Sequence, residues 1–364
     1  MRVMTIVGTR PEMIKMWPVL KKLDSLNFDH IMVHTSQNAT KELKDFFFKD
    51  LELRSPDFDL EIDVSSYGNE VADVVRKSDH LIGKIRPDAL IVLGDTHSGL
   101  AVLPAAHRGV KIFHMEAGLR AWDTRMPEQR NRILIDHVSN ILLPFNEYHR
   151  QNLIRENIHP SKIFVTGNPT FETMRSFADQ IDASDILKRL SLRPREYFAV
   201  TAHRYENVDD PASLGCLLEG LGLVYQRSKK EIIYPMHPRT RSKIEGMPVP
   251  KGMRILAPLG FYDYNCLGKN AYCLLSDSGT APEESLFYRV PCVSLRKTTE
   301  RPETVEAGAH IVAGLDPGNI ADSVETVMGQ ELGHEWRARY DLSENFSPSA
   351  VVMNVLRSQI TNYF

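Results

Sequence analysis

Three carboxylates stand where this chain could most readily do chemistry. Asp95 follows the apolar run 89–93 in Gly94-Asp95-Thr96, Glu116 follows 111–115, and Glu128 opens Glu128-Gln129-Arg130-Asn131-Arg132. Acids gathered on one rim shift one another's pKa, a common route to an acid and a base in one site. Structural alternatives exist for two of them. Asp95 suits a helix N-cap, a role Ser98 could also fill. Glu128, directly after Pro127, suits a helix first turn, where an acid complements the dipole. Glu116, after a wholly apolar run and just before Gly118, answers no packing need and reads as functional.

Cations and backbone donors form a second set. Gly8-Thr9-Arg10-Pro11-Glu12 delivers an apolar run into a helical pattern. Open N–H groups there, with Arg10 and Lys15, suit a phosphate-bearing ligand; an ordinary strand-to-helix turn is the equal alternative. Further on, His203-Arg204 beside Glu206-Asn207 is a denser polar cluster than a core should hold. His237, in Met236-His237-Pro238-Arg239, reads equally well as a core histidine. Ser278-Gly279-Thr280 again lies between strand and helix and suits a phosphate cradle of N–H groups, with Glu284 one turn in and placed for a ribose diol. Arg296 and Arg301 add charge to the same rim. No G-x-G-x-x-G follows any strand, so a nicotinamide fingerprint is missing.

These residues must be held by alternating strands and helices, the pattern of parallel sheets with helices on both faces. Strands are expected at 2–7, 30–34, 89–93, 111–115, 141–143 and 163–165, with helices at 13–23, 70–85, 98–108 and 128–139. A second series of strands follows at 197–201, 231–236, 254–256, 272–276, 290–295 and 310–313, with helices at 211–225 and 321–328. The helix 349–360 has no strand after it and could pack on either half. The expected fold is α/β, with two Rossmann-like doubly wound domains facing across a cleft. Ligands of open α/β sheets sit at the carboxyl ends of the strands, where the polar residues above lie.

The bulk numbers exclude several classes. At 364 residues, two domains are the expectation. Lys plus Arg is 44 and Asp plus Glu is 47, so no basic excess argues for nucleic acid. No stretch reads as a membrane span, and the start of the chain reads as a strand, not as a signal peptide. The four cysteines form no C-x-x-C pair and no zinc spacing, and their apolar neighbours suggest reduced thiols in a cytosolic protein.

Taken together, GTRPEMIK, GDT, HMEAGLR, MPEQRNR, TGNP, AHRYEN, MHP, SDSGT with EES, and TTERPE resemble the non-hydrolysing UDP-N-acetylglucosamine 2-epimerases. These segments span most of the chain in that family's order. The resemblance implies a glycosyltransferase-B type fold with a UDP-sugar in the cleft. Residues 1–168 with 349–364 would carry the catalytic acids, and 169–348 would bind UDP. It implies a cytoplasmic homodimer with no metal, cofactor, nucleic acid or membrane partner. The implied reaction inverts C2 of the sugar. A base takes the C2 proton as UDP leaves C1, and UDP adds back to the resulting 2-acetamidoglycal with a proton delivered to the other face.

Under this resemblance Asp95, Glu116 and Glu128 are the acid/base candidates, with no assignment of faces, and Lys15 orients or neutralises them. Arg10, His203, Ser278, Gly279 and Thr280 would stabilise the leaving diphosphate, with His237 and Arg301 near it. Phe261 or Tyr264 is a candidate for the uracil, with core packing the alternative for both. Gln129 stands where many relatives have a second Glu, and Thr280 where many have Gly. Ser36-Gln37-Asn38 lacks the Gln-His-Arg stretch tied to allosteric control in some members. Asn38 and the MPEQRNR segment are closer to relatives acting on modified UDP-sugars. A hydrolysing 2-epimerase, a glycosyltransferase and a silent nucleotide-sugar sensor are the competing readings.

Overall fold

Two six-stranded sheets, each wholly parallel and each with the same strand order, make up the molecule. The computed structural model describes residues 1–37, 48–123, 125–330 and 346–360. Within them, contacts define two compact units, 1–175 joined by 346–360, and 176–330. The division after Arg175 falls seven residues beyond the boundary read from the sequence.

In the first unit β1 (Arg2–Val7), β2 (Asp29–His34), β3 (Phe58–Asp59), β4 (Ala89–Leu93), β5 (Lys111–Met115) and β6 (Ile141–Leu143) lie in the order 3-2-1-4-5-6. The central strands are apolar on both faces because helices cover both, and β4 is buried at every residue. Met4, Ile6, Leu90, Val92 and Ile112 form the core with Val74 and Leu81 of the helix Tyr67–Ile85. Each such side chain stabilises by about 1.5–3 kcal/mol on burial. Helix α1 itself spans Arg10–Ser25. The expected helix at 98–108 is a 3-10 turn, His97–Ala101, running into helix α2, Val102–His107. Helix α3 spans Pro127–Val138.

Two strand expectations needed correction. Residues 163–165 form no strand, only a single bridge from Ile163 to Leu142. The two-residue edge strand β3 was missed, because so short a segment carries no alternation to read.

The second unit repeats the plan with β7 (Tyr197–Thr201), β8 (Glu231–Pro235), β9 (Met253–Leu256), β10 (Cys273–Ser276), β11 (Cys292–Ser294) and β12 (His310–Val312), in the order 12-11-10-7-8-9. Its core joins Phe198, Val200, Leu275 and Val293 to Leu217 and Leu221 of helix α4 (Pro211–Ser228). Helix α5 is Phe261–Lys269 and helix α6 is Ala281–Tyr288.

The last helix, α7 (Pro348–Ile360), belongs to the first unit and packs on α1. The Glu172 carboxylate holds its start, accepting from Ser349 N at 2.9 Å and Ser347 Oγ at 2.8 Å. Among the described residues no helix is long and apolar enough to cross a membrane, and no group of three or more His, Cys, Asp and Glu could hold a metal.

Candidate active site

Order 3-2-1-4-5-6 reverses direction between β1 and β4, and ligands of such sheets bind beyond the strand ends at that point. The turns after β1, β4 and β5 bring together a cluster of alternating charge. Lys15, from the second turn of α1, donates to Glu116 Oε2. Arg132, from α3, donates through one nitrogen, Nη2, both to Asp95 Oδ2 and, at 3.2 Å, to Glu116 Oε1. Asn131 Nδ2 donates to the Asp95 carbonyl at 3.0 Å. Lys15, Glu116 and Arg132 are no more than 5% exposed, so the ion pairs act in a poorly screened setting. Glu116 also has φ 62°, a left-handed backbone that costs a residue with a side chain about 1–3 kcal/mol. Glu128 is half-buried, one turn before Arg132 and therefore on the same face of α3.

Helix α3 is inverted relative to an ordinary surface helix. It buries Gln129, Asn131, Arg132 and Asp136 along with Ile135, while Leu134 is 39% exposed. Gln129 is a structural tie, accepting from Ala121 N at 2.8 Å. Arg132 is the residue that the sequence reading left out. Its spacing of four from Glu128 was the available signal.

The turn after β1 departs from the phosphate-cradle expectation. The side chain of Glu12 fills it: Oε2 accepts from Gly8 N at 3.0 Å, Thr9 N at 2.8 Å and Thr9 Oγ1 at 2.9 Å. Its other oxygen accepts from Thr96 Oγ1 at 2.7 Å, tying this turn to the residue beside Asp95. Arg10 is half-buried at the first position of α1.

Burial pushes the Glu12 carboxyl up to about 7, against the four hydrogen bonds that favour its charge. The folded protein then keeps this proton over a range, from 4.5 to about 7, in which the unfolded chain has released it. Binding more protons when folded, the protein loses stability as pH rises through that window. The whole shift is worth on the order of 3 kcal/mol. Urea unfolding of Glu12→Gln, which cannot ionise, should show the wild type losing ground by that order between pH 5 and 8. A wild-type-to-variant gap that stays constant with pH would refute the assignment.

In the second unit the reversal lies between β7 and β10, and Asp277 staples it. This fully buried carboxylate accepts from His203 N at 2.9 Å, Arg204 N at 2.9 Å and Asn207 Nδ2 at 3.0 Å. Arg204 Nε donates to the Asp277 carbonyl at 2.9 Å. The His203 ring stays half exposed, its Nδ1 3.6 Å from Asp277 Oδ1. Asp277 thus fixes the backbone of a histidine whose ring is half exposed.

Beside it, Ser278 N donates to Ser276 Oγ at 3.0 Å, and Ser278 Oγ meets Thr280 Oγ1 at 3.0 Å. Thr280 Oγ1 donates to Glu284 Oε1 at 3.1 Å, and Tyr264 OH reaches Glu284 Oε2 at 3.5 Å. Tyr264 and Glu284 line a pocket with Thr201, Asn265 and Tyr288. Phe261 is buried edge-on against Phe177, with ring centroids 5.6 Å apart, as the core alternative required. His237 is exposed after β8.

Behind Gly279 lies a buried ionic group. Arg296 holds Glu300 through two bonds of 3.1 and 3.0 Å, and Arg301 Nε donates to Glu283 Oε1 at 2.7 Å. Burial pushes the Glu300 carboxyl up, but the Arg296, Arg301 and Arg204 charges bring it well below the usual carboxylate range. Arg301 therefore shares its charge with Glu283 and Glu300. Asn38 lies outside the described residues.

Two doubly wound units, with a carboxylate–cation cluster at one chain reversal and a stapled histidine at the other, define a two-unit α/β protein of parallel sheets. A family model described as UDP-N-acetylglucosamine 2-epimerase matches residues 21–345. The UDP-N-acetylglucosamine 2-epimerase of Methanococcus maripaludis is 36% identical over 89% of this chain and 90% of that protein. The UDP-2,3-diacetamido-2,3-dideoxy-D-glucuronate 2-epimerase of Pseudomonas aeruginosa is 33% identical over 91% and 94%. The crystal structure of the Methanocaldococcus jannaschii UDP-GlcNAc 2-epimerase, in complex with UDP-GlcNAc and UDP, covers 98% of this chain and 100% of its own at 32% identity, with a TM-score of 0.91. The chain belongs to the UDP-N-acetylglucosamine 2-epimerase family.

Proposed function

We propose that this protein is a non-hydrolysing UDP-sugar 2-epimerase that interconverts UDP-N-acetylglucosamine and UDP-N-acetylmannosamine. The observation that carries the reading is the Lys15–Glu116–Arg132–Asp95 cluster at the ends of β4 and β5, in a chain whose relatives epimerise C2 of UDP-sugars. The C2 proton is not acidic, so its removal must be coupled to departure of UDP from C1. Protons must then be handled on both faces of C2. Glu116, Asp95 and Glu128 are assigned that work, with Lys15 and Arg132 holding the first two in place.

Charge growing on the leaving diphosphate needs donors already aimed at it. His203, Ser278, Gly279 and Thr280 are assigned that role, joined by Arg10 and the exposed His237. Arg301, engaged by Glu283 and Glu300, acts as framework behind Gly279. Glu284 is assigned the ribose diol: the two hydroxyls it now holds, from Thr280 and Tyr264, stand where a diol's pair would bind. Tyr264 is the aromatic assigned to the uracil. The higher identity to the UDP-N-acetylglucosamine enzyme, 36% against 33% for the diacetamido-uronate enzyme, and the TM-score of 0.91 to a structure that holds UDP-GlcNAc support that sugar over the diacetamido-uronate. A homodimer and a cytoplasmic setting belong to the same proposal, and sedimentation in solution tests the first.

The test is incubation with UDP-N-acetylglucosamine in deuterated water, read at C2 by NMR. Deuterium at C2 of intact UDP-sugars of both configurations is expected. Free N-acetylmannosamine would instead identify a hydrolysing enzyme, and absence of exchange would overturn the reading.

A further inference from the structure

Helix α3 carries a charged stripe at every fourth residue, Glu128, Arg132 and Asp136, of which Arg132 bonds the cluster described above. Asp136 is fully buried and bonds elsewhere. Its Oδ1 meets His114 Nδ1 at 2.8 Å, and its Oδ2 accepts from Gly118 N at 3.2 Å and Arg120 Nη2 at 2.7 Å. His114, on β5 and also fully buried, has its Nε2 at 2.8 Å from the Gly94 carbonyl. A carbonyl only accepts, so Nε2 donates there. Burial pushes the Asp136 carboxyl up, but the charges of His114 and Arg120 bring it net below the usual carboxylate range. The Asp136 carboxylate and the Gly94 carbonyl thus hold the His114 ring at both of its nitrogens.

The two groups thereby reach both turns that present the acids. Gly94 immediately precedes Asp95 and has φ 74°; Gly118 follows Glu116 by two and has φ 79°. A side chain at Gly118 would meet the His149 carbonyl at 2.4 Å, so that turn has one available path. His114 pins the first turn by its carbonyl, and Asp136 pins the second by its N–H.

We propose that the buried Asp136–His114 pair is a positioning device for the reaction, fixing the turns after β4 and β5 so that Asp95 and Glu116 are held at a set separation. The pair touches no substrate. It sets the geometry of proton transfer and leaves UDP binding unchanged, since it contacts none of the residues assigned to UDP. This inference rests on the epimerase reading above.

The test compares Asp136→Asn and His114→Gln with the wild type in the same C2-exchange assay, with kcat and KM separated and UDP affinity measured by calorimetry. Misplacement of reacting groups by a fraction of an ångström to one ångström lowers turnover on the order of 10²-fold. That loss is expected in kcat for both variants, with KM and UDP affinity changed less than about twofold. Glu172→Gln is the contrast. It loosens the start of α7, which bonds neither turn, and should lower thermal stability while kcat stays near wild type. Wild-type kcat in a folded Asp136→Asn or His114→Gln protein would overturn the proposal, as would equal losses in kcat and UDP affinity. Failure of both variants to fold would show the pair serving the core alone and overturn it too. Absence of exchange by the wild type would instead bring down the epimerase reading, and this inference with it.

Discussion

Glu116→Gln is expected to lower C2 exchange by about 10³-fold while leaving UDP affinity near wild type. The amide keeps the shape of the carboxylate and removes its capacity to take a proton. Uncoupled UDP release should not replace the lost exchange, because departure of the diphosphate depends on removal of the C2 proton. The same change leaves Lys15 and Arg132 with one fewer negative partner in a site that is almost dry. Breaking one side of a buried ion pair destabilises by about 3–5 kcal/mol. Lys15→Met in the Glu116→Gln background should therefore restore much of the stability without restoring exchange. Denaturant unfolding of the two single variants and the double variant measures the coupling. If Glu116→Gln turns over at the wild-type rate, Glu116 leaves the catalytic set.

The pieces of this site that were legible in the sequence are those whose signal is local. Ala89–Leu93 and Lys111–Met115 are apolar runs ended by Gly94-Asp95 and Glu116, and the structure keeps those strands at the expected bounds. Both residues stand at strand ends, where the topology puts ligands. What was not legible depends on contacts far along the chain. Asp277 sits beside the Ser278–Thr280 turn that drew attention, but its partners, His203 and Arg204, are more than 70 residues away. The sequence assigns Glu12 no role of its own. Only the closure of the β1 and β4 turns around it made it the internal occupant of the site that its own backbone N–H groups offered. Helix α3 shows the limit most clearly. Polar periodicity normally marks a solvated face. Here the polar face is the buried one, because it meets the carboxylates at the ends of β4 and β5 and not the apolar face of a sheet.

That inversion makes Arg132 the second residue whose loss should be severe. A single nitrogen of its guanidinium contacts both Asp95 and Glu116. Arg132→Met keeps the buried stem and removes that cation. Of the ion pairs described in this cluster, the one between Lys15 and Glu116 would then remain. Like charges in a confined, poorly hydrated site drive one group to keep its proton at a pH where it is normally ionised. At neutral pH one of these two carboxyls would be in the wrong state for proton transfer, and both would lose their contact with Arg132. We expect kcat for Arg132→Met to fall by about 10³-fold at pH 7. The residual rate should rise with pH further into the alkaline range than in the wild type, since a carboxyl with a raised pKa ionises only there. Arg132→Lys should recover part of the rate, as its shorter ammonium can balance the charge without the guanidinium's reach to both acids. A pH–rate profile for the two variants separates the effects. Loss of rate at all pH values in equal proportion would assign Arg132 to geometry alone, and an unchanged rate would remove it from the site.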